Sequence, residues 1–315
     1  MNSKVQFVDI TESQEGQRID NFLIKTLKKL PRSRLYRIIR KGEVRVNKKR
    51  IKPEYKLCIG DQVRIPPVYQ EESDNSPVVI PDVLLKKIES SILFENEDII
   101  ILNKPSGLAV HSGSGLRYGA IDVLRVLRNK SDIELVHRLD RDTSGCLLFA
   151  KTRQSLLAVQ NLFKTQALTK TYIAIVKGHW DLNLIDIQLP LLKQTMSNGE
   201  RKVFVDERGQ QAHTRIEQAT HYSCDGVKFS LLRIRLLTGR THQIRVHCKA
   251  HNHEIAGDVK YGDRQFNRLI KKIGGGRLLL HASKLEIPQV AHTKSLEVKA
   301  PDPQEFVKLL LNKML

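Results

Sequence analysis

A charged loop that runs directly into an apolar segment near the middle of the chain constrains the fold more than any other stretch. Residues 137–145 read His-Arg-Leu-Asp-Arg-Asp-Thr-Ser-Gly, and the apolar run Cys-Leu-Leu-Phe-Ala follows at residues 146–150. A short apolar run after polar turn residues predicts a buried strand. The loop before such a strand can hold a side chain rigidly at the edge of a cleft.

Asp140 is the best candidate in this loop for a catalytic nucleophile or base. It has arginines close on both sides, and nearby positive charge favours the ionised form of a carboxylate, as a nucleophile or base at neutral pH requires. The alternative is an aspartate-rich turn that caps backbone N–H groups beside solvated arginines. The loop alone does not decide between the two.

The chain carries a large excess of positive charge, with 53 Lys and Arg against 34 Asp and Glu and a formal net charge of +19. Such an excess favours binding to a polyanion, and nucleic acid is the first candidate. The surplus is concentrated near the N-terminus, because residues 15–67 hold 16 Lys or Arg and only 5 Asp or Glu.

The same stretch has the pattern of a small α+β module, which we place at residues 15–68. Apolar residues recur at helical spacing in two runs within residues 19–39, and residues 43–47 and 61–65 alternate as strands do. Eight cations fall in a segment whose one acid is Glu43, which favours a phosphate-binding edge over an ordinary solvated basic face. These cations are Arg32, Arg34, Arg37, Arg40, Lys41, Arg45, Lys48 and Lys49.

A polar, acidic stretch bounded by proline follows at residues 69–81, and we interpret it as a linker. Residues 82–315 are expected to form a second, β-rich domain. Its predicted strands include residues 92–94, 99–102, 171–176 and 229–237, and its predicted helices include residues 120–129 and 153–168.

Two further side chains are candidates for the cleft. Tyr172 lies in a predicted strand, where alternation would also allow a core tyrosine with a satisfied hydroxyl. Arg240 follows a strand and precedes a helix that Thr241 can cap, and an arginine there can make a two-pronged contact with a carboxylate or phosphate. A surface arginine is the alternative. Farther along, His247 and His251 stand one helical turn apart, as zinc ligands can.

Three stretches resemble motifs of the RluA-type pseudouridine synthase family, and they occur in that family's order. The first is the loop at residues 137–145. The second reads Lys-Thr-Tyr-Ile-Ala-Ile-Val at residues 170–176, and the third reads Leu-Thr-Gly-Arg-Thr-His-Gln-Ile-Arg-Val-His at residues 237–247. The N-terminal module is similar to the S-four-like RNA-binding domain, so the resemblance covers nearly the whole chain.

The resemblance implies an α+β fold whose catalytic domain has a mixed, mostly antiparallel sheet, and it implies isomerisation of specific uridines in large-subunit ribosomal RNA. In that reaction Asp140 would attack or deprotonate the substrate, Arg240 would pair with Asp140 and keep it ionised, and Tyr172 would pack against the base. Arg138 would fill the space left by a base that leaves its stack. The family uses no cofactor and no metal, so we expect neither. Gln289 and the residue after it depart from the His-Pro common in the family.

Two other functions remain open at this point. A non-catalytic RNA-binding assembly factor would be favoured if Asp140, Tyr172 or Arg240 were missing, and all three are present. A hydrolase that releases the base could use paired acids such as Asp140 and Asp142.

The sequence also predicts where the protein works. No apolar run approaches the roughly 20 residues that a membrane span requires, and the first ten residues lack the pattern of a secretory signal. The four cysteines show no paired spacing. We therefore expect a cytoplasmic protein with reduced thiols, and a monomer.

Overall fold

The computed structural model describes residues 5–27, 30–68, 80–112, 118–197, 199–290 and 292–311. The chain divides into two compact units, Met1–Val79 and Ile80–Leu315, called here the N-terminal and C-terminal units. The linker predicted at residues 69–81 lies outside the described residues except for its last two, so its boundaries stay a prediction.

The N-terminal unit is the predicted small α+β module. Its elements are β1 (Gln6–Asp9), a 3-10 turn (Glu12–Gln14), α1 (Ile19–Thr26), α2 (Arg32–Arg40), β2 (Arg45–Val46), β3 (Lys49–Arg50) and β4 (Gln62–Ile65). The strands pair antiparallel in the order β1-β4-β2-β3. Because β1 pairs with β4, the unit begins earlier than the predicted start at Glu15. Its core contains the fully buried Leu23, Leu35 and Val63.

The C-terminal unit alternates helices with strands of very different length. In chain order it contains α3 (Asp82–Glu89), β5 (Ile92–Glu95), β6 (Ile99–Lys104), α4 (Ala120–Leu127), β7 (Glu134–Leu135), β8 (Ser144–Ala150), α5 (Arg153–Lys164), β9 (Thr169–Lys177), β10 (Asp186–Ile187), β11 (Leu191–Thr195), β12 (Arg201–Val205), β13 (Thr214–Cys224), β14 (Val227–Leu236), α6 (Gln243–Ala250), α7 (Arg264–Lys272), β15 (Leu280–Ile287), β16 (Leu296–Lys299) and α8 (Gln304–Leu311).

Ten of these strands form one sheet in the order β10-β13-β14-β9-β15-β8-β6-β5, with β7 paired to β8 and β16 paired to β15. Strands β8 and β15 pair in parallel, and the other pairings between described strands of this sheet are antiparallel. The prediction of a mixed, mostly antiparallel sheet is confirmed. Strands β11 and β12 form a separate hairpin.

Successive side chains of β9 point to opposite faces of the sheet, and both faces are covered. Tyr172 and Ala174 join the larger apolar cluster on one face. Ile175 joins Phe229 and Phe306 in a second cluster, to which α7 and α8 contribute. The strand is therefore buried on both sides.

Gly145 sits where the charged loop enters β8 and allows β15 to approach closely. Its φ of +103° is a backbone conformation that favours glycine. A Cβ atom at this position would lie 2.2 Å from the carbonyl oxygen of Ala282 in β15. The close parallel pair thus fixes the end of the loop that carries Asp140.

Within the part of the chain that the structure describes, every helix is too short or too polar to cross a membrane.

Candidate active site

A buried lysine, Lys104, is hydrogen-bonded to the backbone of the loop that carries Asp140. Lys104, at the end of β6, has no solvent-exposed surface. Its Nζ donates to the carbonyl oxygens of Pro105 at 2.9 Å, Leu108 at 2.8 Å and Arg141 at 2.8 Å. Burial lowers the pKa of Lys104 to about 7, and the neighbouring aspartates oppose that shift. Three carbonyl acceptors match the three N–H groups of an ammonium, so the loop backbone is fixed beside Asp140.

Asp140 is engaged by Arg245, the third residue of α6. The Nη1 atom of Arg245 lies 3.1 Å from Oδ2 of Asp140. The other two guanidinium nitrogens donate to Asp258, Nε at 2.7 Å and Nη2 at 2.8 Å. Arg245 therefore bridges two carboxylates, of which Asp258 is almost completely buried.

The bridge is electrostatically stable despite its burial. Burial alone would lower the pKa of Arg245, but hydrogen bonds and charge from Asp258, with the charge of Asp140, raise it above its usual value. Burial likewise acts to raise the pKa of Asp258, and Arg245 together with two backbone N–H groups lowers it. Both partners stay charged, so a positive charge is always present beside Asp140.

Arg240 does not make the contact predicted for it. It lines the same cavity as Asp140, but its side chain is exposed and its Nε donates to the carbonyl of Gln211 at 3.1 Å. The predicted Arg240–Asp140 pair is therefore wrong, and Arg245 takes that place. The physical reason is the direction of helical side chains, which point back toward the helix start and bring the Arg245 guanidinium to Asp140.

Tyr172 lies in the same cavity as Asp140, and 5% of its surface is exposed. Among the described residues, its hydroxyl has no hydrogen-bond partner. Burial raises the pKa of Tyr172, and the negative charge of Asp140 raises it further. The phenol is therefore neutral in the physiological range.

Two adjoining cavities meet at Asp140. The first has a volume of about 350 Å³ and an apolar wall that includes Leu236, Ile244 and Leu280. The second, of about 530 Å³, is bordered by the cations Arg138, Arg141, Arg245, Lys260 and Arg277. Arg138 borders both cavities and is exposed. The apolar wall of the first cavity suits a base, and the cations of the second, which also contains Asp140, Asp142 and Asp258, suit a charged backbone.

Several residues of this site were not among the site residues predicted from the sequence. They are Lys104, Arg245, Asp258 and the pair His242 and Tyr261, whose Nδ1 and hydroxyl oxygen lie 2.8 Å apart. The signal for Arg245 was present, because it stands between the buried Ile244 and Val246 and a cation amid apolar neighbours needs a partner.

Of the eight cations predicted for RNA binding, four lie in α2, Lys41 directly follows α2, and three lie in the β2–β3 hairpin of the N-terminal unit. Seven are exposed and Arg34 is half-buried. None of the eight forms an ion pair with a described acidic residue, and two of them, Arg40 and Arg45, donate to nearby backbone carbonyls. Their role in RNA binding stays a prediction.

Comparison with known protein families gives two matches. The RNA pseudouridylate synthase family matches residues 98–250, which include Asp140, Tyr172, Arg240 and Arg245. The S4 domain family matches residues 17–63.

Curated relatives named ribosomal large subunit pseudouridine synthase C match nearly the whole chain, as three examples show. The Haemophilus influenzae protein is 45% identical and the match covers 100% of this chain and 96% of the relative. The Escherichia coli K12 protein is 46% identical, and the match covers 98% of this chain and 97% of the relative. The Vibrio cholerae protein is 47% identical, and the match covers 96% of this chain and 94% of the relative.

Two human proteins of known structure share the fold. Human RNA pseudouridylate synthase domain containing 4 superposes with a TM-score of 0.59 at 28% identity, covering 74% of this chain and 97% of that one. Human RNA pseudouridylate synthase domain containing 1 superposes with a TM-score of 0.57 at 27% identity, covering 68% of this chain and 83% of that one.

Proposed function

The chain belongs to the RNA pseudouridylate synthase family, and we propose that it isomerises specific uridines of large-subunit ribosomal RNA to pseudouridine with Asp140 as the catalytic residue. The observation that carries the role of Asp140 is its position where the two cavities meet, with Oδ2 held by Arg245 at 3.1 Å. The name shared by the full-length relatives supports the choice of RNA.

The reaction needs a charged carboxylate near the sugar. Isomerisation breaks the bond between N1 of the base and C1′ of the ribose, and it forms a bond between C5 and C1′. The proton on C5 is released and N1 ends with a proton, so atoms balance without an added reactant. Whether Asp140 attacks C1′ or removes a proton from the sugar, its carboxylate must be held in place beside the ribose, and Arg245 holds it through Oδ2 at 3.1 Å.

The other cavity residues have roles that follow from their positions. Tyr172 offers a neutral aromatic ring against which the base can pack. Arg240 is exposed at the cavity edge, so it contacts the substrate and leaves Asp140 to Arg245. Arg138 borders both cavities, and it fills the space left when the target base leaves its stack.

The N-terminal unit supplies affinity for RNA through the eight cations of α2, Lys41 after it, and the β2–β3 hairpin. Their charges are not offset by described acidic partners, so they are available to phosphates. We further propose that the protein works in the cytoplasm as a monomer and without a cofactor. The four cysteines are free thiols, which agrees with a reducing compartment.

Mapping pseudouridine in ribosomal RNA from cells with and without this protein tests the proposal. Specific large-subunit positions should lose pseudouridine when the protein is absent and regain it with the parent chain but not with Asp140→Asn. An unchanged map would favour a non-catalytic assembly factor. Mass spectrometry of the modified fragment separates isomerisation, which leaves RNA mass unchanged, from hydrolysis, which removes a base.

A further inference from the structure

His242 occupies an unusual position beside Asp140. It precedes α6 with a φ of +55°, a left-handed conformation that residues with a side chain rarely adopt. Its carbonyl accepts the N–H of Val246 at 3.0 Å and so starts the helix that carries Arg245. Its ring borders both cavities, and Nε2 lies 3.9 Å from Oδ2 of Asp140. Strained backbone at such a place is often part of a site's mechanism.

The neighbours of the imidazole determine which nitrogen carries its hydrogen. The hydroxyl of Tyr261 accepts the backbone N–H of Val203 at 3.0 Å, and it lies 2.8 Å from Nδ1 of His242. In the arrangement that gives the Tyr261 hydroxyl hydrogen an acceptor, this hydrogen points at Nδ1 and the ring hydrogen is on Nε2. The other tautomer would leave the Tyr261 hydrogen without a described acceptor and would turn a lone pair toward the carboxylate of Asp140.

The imidazole facing Asp140 is neutral. Burial lowers the pKa of His242, and Arg245 and Lys260 lower it further, while Asp140 and Asp258 oppose them. It therefore places a dipole, rather than a second full charge, 3.9 Å from a carboxylate oxygen. The distance of 3.9 Å exceeds that of a hydrogen bond, and catalytic contacts are commonly long before substrate binds.

Both contacts converge on one oxygen of Asp140. Arg245 Nη1 and His242 Nε2 approach Oδ2, whereas Oδ1 has no hydrogen bond to a described residue. We propose that His242 is a positioning residue whose tautomer is fixed by Tyr261, and that it acts with Arg245 on Oδ2 so that Oδ1 is the oxygen that reacts with the substrate. This inference rests on the proposed catalytic role of Asp140.

The test combines kinetics with the nitrogen spectrum of the ring. Asparagine tolerates the left-handed backbone, so His242→Asn keeps the helix start while removing the Nε2–H donor. At saturating RNA its single-turnover rate should fall about ten- to a hundredfold, as expected when a supporting side chain is removed, with RNA affinity unchanged. The matched control is His179→Asn, because His179 is exposed and borders neither cavity; it should react at the parent rate.

The spectrum reports the tautomer without reference to turnover. In the full-length parent protein, ¹⁵N spectra of the His242 ring should show hydrogen on Nε2 and an accepting Nδ1. Tyr261→Phe keeps the ring beside Arg245 but removes the hydroxyl, so Nδ1 should lose its hydrogen-bonded shift and the rate should fall by less than in His242→Asn.

Three results overturn the inference: hydrogen on Nδ1 in the parent, a parental rate in His242→Asn, or a loss confined to RNA affinity. Asp140→Asn separates this from the proposed function. If Asp140→Asn is inactive while His242→Asn reacts like the parent, the role of His242 alone is wrong; if Asp140→Asn still turns over, the role of Asp140 fails and this inference fails with it.

Discussion

Arg245 reaches Asp140 with one nitrogen while its other two are held by Asp258 from behind. The side chain of Asp258 is in turn fixed by the backbone N–H groups of Lys260 and Tyr261, each at 2.9 Å. An arginine that is held at two nitrogens loses little freedom when it binds a third partner, so the contact with Asp140 is prearranged.

Asp140→Asn keeps the size of the side chain and removes its charge, so we expect turnover to be abolished while RNA binding survives. Asp142→Asn is the matched control, because the Asp142 side chain is 57% exposed and its contact with Arg141 is 3.9 Å long. The control should keep measurable activity. Single-turnover rates and RNA affinities of both variants check this, and equal activity in the two would contradict the assignment of Asp140.

Arg245→Lys should lower the single-turnover rate by about 10²- to 10³-fold, the usual effect of removing one prearranged donor. A lysine keeps the charge but cannot contact Asp140 and both oxygens of Asp258 at once. Arg240→Lys is the comparison, because Arg240 lies in the same cavity without touching Asp140. It should weaken RNA binding and leave the rate at saturating RNA close to that of the parent.

The contrast between these two arginines shows what the sequence could and could not predict. Local patterns placed Asp140 in a loop before an apolar strand and Tyr172 in an alternating strand, and the family resemblance then marked both as site residues. The partner of Asp140 was misassigned because it depends on where α6 begins. The predicted cap was Thr241, but the helix starts at Gln243 after the left-handed His242. Local patterns do not encode that turn.

The contact between Lys104 and the carbonyl of Arg141 was also missed, since it joins residues 37 positions apart.

Lys104→Met should destabilise the protein by about 3 kcal/mol, because three buried carbonyls lose their donor. It should also lower activity by freeing the loop of Asp140. Ser106→Ala removes one exposed hydrogen bond to the same loop and should cost less than about 1 kcal/mol. Denaturant unfolding of both variants makes the comparison, and equal costs would show that Lys104 does not anchor the loop.

His247 should make the protein less stable in mild acid. Burial lowers its pKa to about 4, and the hydrogen bond between Nε2 and the carbonyl of Leu189 at 3.0 Å opposes that shift. Its Nδ1 contacts the hydroxyl of Thr214 at 2.9 Å. Between pH of about 6.5 and 4 the unfolded chain therefore binds more protons than the folded one, so stability falls as pH falls through that range.

One such histidine contributes at most about 1.4 kcal/mol per pH unit. His247→Gln cannot titrate, so its unfolding free energy should depend less steeply on pH in this window than that of the parent. Unfolding curves at several pH values measure the pH dependence of the unfolding free energy in both proteins. Equal pH dependence would show that His247 does not contribute to the loss of stability in acid.

The last prediction concerns the division of labour between affinity and chemistry. Lys48 and Lys49 are exposed in the N-terminal unit, and changing both to Gln should flatten the log–log salt dependence of RNA binding by about 0.7 to 0.9 for each phosphate that is no longer neutralised. Lys271→Gln with Lys272→Gln removes the same charge from exposed positions at the end of α7 and should leave the slope unchanged. Because Asp140 and Arg245 are untouched, the single-turnover rate at saturating RNA should equal the parent rate in both double variants. Equal slopes in the two would place the phosphate-binding residues elsewhere on the chain.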